Sequence, residues 1–346
     1  MANILDYLHW RGDLTLAQSA FNPVDALVLS WSASMPMKSP LPRTLGEAAA
    51  AATQADEDGK RFVSLLSGAA RFRSMRVLNF GEKFSAAEQL QFAALTVLTG
   101  DGRAFVAFRG TDSTLVGWKE DFNMAFSDEV PAQREAVAWL ERAAEATPLP
   151  IRVGGHSKGG NLAVYAAAKC KHQRRIEAVY NFDGPGQRPG LMGSPEYRAV
   201  EPRIETFLPE SSIVGILMEQ AERYHVVRSS AEGVMQHSPY SWQVGPQDFE
   251  LLDSLDWKSL YADRTLADWL DGMSPEDRER LVDALYEIVE ATGMRTVGEV
   301  SAHWRQSGWR MLNAFNDLDL RTRALVFLSL GRLLRAAARN LQVPEE

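Results

Sequence analysis

The sequence predicts an α/β fold: a mostly parallel sheet with one sharp strand–turn–helix, followed by a helical C-terminal region. Three observations predict it. Up to about residue 250, short apolar runs alternate with helical patterns and Gly/Pro-rich turns. Gly155-His156-Ser157-Lys158-Gly159 joins one such run to an Ala-rich helix. Beyond about residue 250 the patterns are helical, with no convincing strand. The expected division is an α/β domain over 1–250, including an N-terminal extension, and a helical subdomain over 251–346.

The elements follow in order. Leu90–Leu98 and Arg103–Arg109 flank Thr99-Gly100-Asp101-Gly102, and Asp-Gly between apolar runs predicts a hairpin. Ile151–Gly155 is a strand leading into the Gly-rich turn. Lys158–Cys170 is the helix leaving it. Further strands are predicted at Ile176–Phe182, Ile204–Leu208 and Tyr224–Ser229. Ser274-Pro275-Glu276-Asp277 reads as N-cap, first-turn proline and acidic first turn. Gly293 stands where that helix should stop. Leu320–Leu341 is a second C-terminal helix. Trp257, Trp269, Trp304 and Trp309 are expected to pack in this region.

Composition excludes several classes. The chain is 45% hydrophobic and 24% charged, too apolar for extended disorder. Its net charge of −8 argues against nucleic-acid binding over the whole surface. A single cysteine, Cys170, rules out an intrachain disulfide and a thiolate zinc cluster. No signal peptide and no transmembrane run are seen, so a cytoplasmic location is expected.

Gly-x-Ser-x-Gly after a strand and before a helix is the nucleophile-elbow pattern, with Ser157 at its tip. A serine hydroxyl needs a base. Of six histidines, His156 adjoins the serine, His172 lies beyond the helix, and His225 sits in a strand pattern. Two more are at the chain's extremes. His237, in a loop after the last strand, is the expected base, in the order serine, acid, histidine. Asp183, ending the strand after the elbow helix, is the expected acid. Glu210, ending the next strand, is the alternative. Oxyanion donors are expected at the N–H of Lys158 and at Thr111. The stretch after Thr111 and the connection Gly184–Arg203 are expected to wall an acyl pocket.

Phe108-Arg109-Gly110-Thr111, Trp118-Lys119-Glu120-Asp121 and Gly155-His156-Ser157-Lys158-Gly159-Gly160 together resemble the class 3 lipases of the α/β-hydrolase superfamily. The resemblance covers about residues 85–240 and is strongest to a bacterial branch, the Mbeg-like proteins. Gly155–Ala163, Asn181–Gly186, Ser211–Gly215, Gln236-His237 with Trp242, and the opening Tyr7–Asp13 also look like that branch. The resemblance implies Ser157 as nucleophile, His237 as base and Thr111 as oxyanion donor. Two positions depart from class 3 lipases: Ser212 stands where they carry their acid, and Lys158 replaces an apolar residue. The reading is a serine hydrolase of carboxylic esters, with a small-molecule or lipid ester as substrate and no cofactor or metal implied. The alternative is a catalytically inactive hydrolase-fold protein that binds a ligand or partner. Lys158 is expected to point to solvent or pair with a nearby acid, or else to place its ammonium at the pocket mouth. The sequence leaves the oligomeric state open.

Overall fold

In a computed structural model the described residues are all but Met1, 38–39, 112–114, 125–126, 219, 294–303 and 342–346. The chain divides into two compact units. The first comprises Met1–Lys83, Phe92–Gly110 and Ala132–Asp256; the second comprises Phe84–Gln91, Thr111–Pro131 and Trp257–Glu346. The helical C-terminal unit therefore also takes in two earlier segments.

The sheet has eight strands in sequential order: β1 (Arg76–Ser85), β2 (Leu90–Leu98), β3 (Ala104–Phe108), β4 (Ile151–His156), β5 (Ile176–Phe182), β6 (Ile204–Pro209), β7 (Tyr224–Val227) and β8 (Leu251–Leu252). Strands β3 to β7 run parallel, while β2 and β8 are antiparallel to their inner neighbours. The predicted hairpin is β2–β3. Its turn has Gly100 and Gly102 at φ +86° and +79°, and Thr99 N–H donates to Arg103 O at 3.1 Å. Both β1 and the two-residue β8 were absent from the sequence reading; β8 lies just past residue 250, where no strand was expected.

In the first unit, α1 (Ile4–Trp10), α2 (Pro23–Ser32), α3 (Leu45–Ala51) and α4 (Glu57–Gly68) precede the sheet. Asn22 caps α2 and exchanges bonds with Asp25 in a capping box. Helix α5 (Leu115–Met124) belongs to the second unit; α6 (Pro131–Ala146) and α7 (Lys158–Lys169) follow. Successive strand residues point to opposite faces. A Cβ on Gly154 would meet Ser30 of α2, whereas one on Gly155 would meet Gly159 of α7. So α2 and α7 cover opposite faces of β4, and the core forms on both sides. Behind the N-terminal helices, Arg71 and Asp25 form a fully buried ion pair at 2.5 Å. Asp25 also accepts from Tyr7 Oη at 2.8 Å, and Arg71 donates to the carbonyls of Ser19 and Ala20.

The connection after β5 carries two short helices, α8 (Pro189–Met192) and α9 (Pro195–Val200), and α9 packs against α7. In the second unit, α10 (Trp257–Asp271) packs with α13 (Leu320–Asn340), and α11 (Pro275–Glu290) packs with α12 (Trp304–Asp317), α13 and α5. Lys119 of α5 pairs with Asp283 at 2.9 Å and lies over the Tyr286 ring. Ser274 caps α11, and Gly293 has φ +75°, as the stop signal required. Trp269 is half-buried and its indole N–H donates to Ser329 Oγ at 2.9 Å. Trp257 and Trp309 are instead exposed, a correction to their expected packing: an aromatic residue on a helix is buried only where another element covers that face. The side chain of Trp304 lies outside the described residues.

Candidate active site

Ser157 has φ +59° and ψ −134°, a conformation costly for a residue with a Cβ. The surrounding chain imposes it. Strand β4 ends at His156 and α7 begins at Lys158, so one residue turns the chain. Ser157 N–H donates to Phe182 O at 2.9 Å, and its carbonyl accepts from Gly160 N–H at 2.8 Å. The two motif glycines permit the close approach. A Cβ on Gly155 would stand 2.1 Å from Gly159 O, and one on Gly159 would stand 2.2 Å from Phe108 O. Ser157 is only partly buried.

Asp183 follows β5, the strand next to β4, and has φ +50°, a conformation aspartate tolerates better than most residues. Its carboxylate is buried and fully engaged. Oδ1 accepts from Ser212 Oγ at 2.5 Å and from Gly215 N–H at 3.1 Å. Oδ2 lies 2.6 Å from His237 Nδ1. With that proton held on Nδ1, the neutral ring of His237 has Nε2 unprotonated. Glu210 is not brought to His237; its carboxylate accepts from Ser229 N–H at 3.3 Å.

The loop before β8 holds His237 by its neighbours. Gln236 Oε1 accepts from Ser211 N–H at 2.8 Å, and Gln236 O accepts from Trp242 Nε1 at 2.8 Å. These two bonds account for the Gln236-His237 and Trp242 spacing. Likewise Asn181 Oδ1 accepts from Gly184 N–H at 3.0 Å, closing the turn beneath Asp183. The segments around 181–186, 211–215 and 236–242 therefore converge on one carboxylate and one imidazole.

His156 adjoins the serine in sequence, and the fold also brings it to His237. Its ring centroid lies 4.6 Å from that of His237, and its Nε2–H donates to His237 O at 2.7 Å. Trp31 and Trp242 meet the His156 ring edge-on. Burial, and secondarily the His237 charge, hold the His156 imidazole well below the usual histidine range, so it is neutral. An acceptor carbonyl on Nε2 fixes the tautomer.

Two other expected residues sit differently from the simplest reading. Lys158 is 1% exposed, so its side chain neither points to solvent nor stands at an open mouth. Thr111 Oγ1 donates to Asp121 Oδ2 at 2.5 Å, which leaves its main-chain N–H as the group to consider as a donor. The connection from Gly184 runs along the elbow helix through α9, rather than standing free as a flap. Residues 112–114 and Phe126, within the other expected wall, lie outside the described residues. Among the described residues no cluster of side chains could hold a metal ion.

A mostly parallel sheet with a strained serine between a strand and a helix defines an α/β-hydrolase-type protein. The profile of the Mbeg1-like family matches residues 66–287. The chain belongs to that family. No curated protein matches it. Among solved structures it is similar to the Rhizomucor miehei lipase–propeptide complex, at 17% identity over 55% of this chain and 65% of that one, with a TM-score of 0.34. It is also similar to lipase II from Rhizopus niveus, at 12% identity over 56% and 77%, TM-score 0.35. A third is a fungal lipase, at 13% identity over 74% and 92%, TM-score 0.42. The match spans slightly less than two thirds of the Rhizomucor chain.

Proposed function

We propose that the protein is a serine hydrolase of carboxylic esters, acting through an acyl-enzyme on Ser157. The observation that carries this reading is the bond from His237 Nδ1 to the buried, doubly anchored Asp183 beside the elbow. His237 Nε2 takes the proton as Ser157 Oγ attacks the ester carbonyl carbon. Asp183 stabilises the imidazolium and fixes its tautomer. The N–H groups of Lys158 and of Thr111 hold the oxyanion of the tetrahedral intermediate. The intermediate collapses, breaking the ester C–O bond, and His237 returns the proton to the leaving alcohol. Water, deprotonated by His237, then releases the carboxylic acid. The substrate class is a small-molecule or lipid ester, and the expected setting is the cytoplasm.

Ser212 bears on the inactive-module alternative. It replaces the acid of class 3 lipases, but its hydroxyl donates to Asp183, so a carboxylate still reaches His237 from the neighbouring strand. That supports activity over its loss. Aryl esters graded by acyl length test the reading. Wild-type protein is expected to release aryl alcohol with a preferred chain length, and Ser157→Ala to release none above background. Equal rates in both would reject it.

A further inference from the structure

Helix α13 carries a second apolar face outward, besides Leu325 and Val326, which pack with Met273 and Leu281. Its buried residues are Thr322, Leu325, Ser329 and Ala336, two of them polar and one small. Its exposed residues include Leu320, Phe327, Leu334 and Leu341, at 66%, 64% or 78% exposure. These recur every seven residues, so at about 100° per residue they form one stripe facing away from the buried side. Leu328 and Leu330 are also exposed and lie on either side of the stripe. The outward apolar surface thus spans about 160° of the helix, wider than the seam of a coiled coil. The same helix holds five arginines and no acidic residue, in a chain of net charge −8. Arg321 and Arg335 are exposed along one side of the stripe; Arg339, also exposed, lies 3.6 Å from Asp268 of α10.

We infer that α13 docks the protein on an anionic phospholipid surface. A broad apolar face bordered by arginines is what an interfacial helix presents: the leucines and phenylalanine enter the acyl boundary while the guanidiniums stay at the phosphates. The helix is about 30 Å long and would lie in the plane of the surface. Among the described residues no helix is long and apolar enough to cross a membrane, so this is attachment, not insertion. Charge decides between this occupant and a second copy of the chain. Two α13 helices face to face would bring Arg321 and Arg335 of each copy together with no acid from either helix, whereas anionic headgroups neutralise them. The inference does not depend on the proposed hydrolysis.

Co-sedimentation of the full chain with vesicles tests it, using phosphatidylcholine alone and phosphatidylcholine mixed with phosphatidylglycerol. Binding is expected only to the mixed vesicles and should weaken with added salt. Arg321→Gln with Arg335→Gln should lower affinity about 25-fold, at about fivefold per arginine. Phe327→Gln should lower it at least about tenfold. These side chains are exposed, so circular dichroism should match wild type in each variant. Equal binding to both vesicle types, or binding to neither, would overturn the inference. A solution dimer that Phe327→Gln dissociates, without vesicle binding, would also overturn it and assign the face to a second copy.

Discussion

His156 and His237 stand ring to ring at 4.6 Å, and His156 Nε2–H donates to the main-chain carbonyl of His237 at 2.7 Å. The residue preceding the nucleophile therefore holds the residue proposed to activate it. His237 is fixed at three points: the Asp183 carboxylate at its Nδ1, His156 at its carbonyl, and Gln236 anchored beside it. His156 is a positioning residue in this account. His156→Phe keeps a ring but removes the donor. It should lower kcat about tenfold or less, the worth of one neutral hydrogen bond, and leave KM nearly unchanged. A KM effect alone would contradict that role.

The same imidazole predicts a pH dependence of stability. Burial lowers the folded-state pKa of His156 below its unfolded value. As pH falls below about 6.5 the unfolded chain takes up a proton that the folded chain refuses. Stability should then fall by up to about 1.4 kcal/mol per pH unit from this group, until the folded-state pKa is reached. Above about pH 7 the contribution is flat. Urea unfolding across pH 5–8 should show a shallower slope in His156→Phe than in wild type; identical slopes would mean the group titrates in the folded protein.

The acid is tested by ranking two substitutions. Asp183→Asn should lower turnover by about three to four orders of magnitude, since an amide cannot stabilise the imidazolium. Glu210→Gln should leave turnover nearly intact, because its carboxylate accepts from Ser229 N–H and not from His237. Stopped-time ester assays on the two folded variants give the ranking, and its reversal would move the acid to the next strand.

Ser212 supplies a bond to a charged acceptor. Ser212→Ala removes that donor from Asp183 Oδ1, which keeps the Gly215 N–H. The expected cost is about 1.5–3 kcal/mol in denaturant unfolding. An unchanged midpoint would show that the hydroxyl does not hold the carboxylate.

The Arg71–Asp25 pair predicts a larger stability effect away from the site. Arg71→Met strands a carboxylate that no solvent reaches. It should cost about 3–5 kcal/mol, whereas replacing both partners with apolar residues should cost less. Thermal melts of the single and double variants distinguish these outcomes.

Local patterns carried the parts of this structure that local chemistry determines. The hairpin at 99–102, the strands flanking the elbow, and the capped start of α11 all depend on neighbours in sequence, and they appear where the patterns put them. The position of Asp183 at the end of β5 and of His237 in the loop after β7 was legible from the strand pattern, while their roles remain proposals. The ties that make these residues a unit were not legible. The Ser212–Asp183 bond spans 29 residues, and the His156–His237 bond spans 81. Such contacts depend on register between strands and on loop placement. The burial of Lys158 was not legible either, because what covers a side chain depends on tertiary packing. The N-terminal helices lacked a motif, and their buried ion pair pairs residues 46 apart.

The most direct test of the central claim is covalent labelling of Ser157 by a fluorophosphonate probe, read by intact mass. Wild-type protein is expected to gain one adduct, mapped to Ser157. His237→Ala and Asp183→Asn should label much more slowly, and Ser157→Ala should not label. Folded wild-type protein that takes no label, or takes it as fast without His237 as with it, would contradict the account.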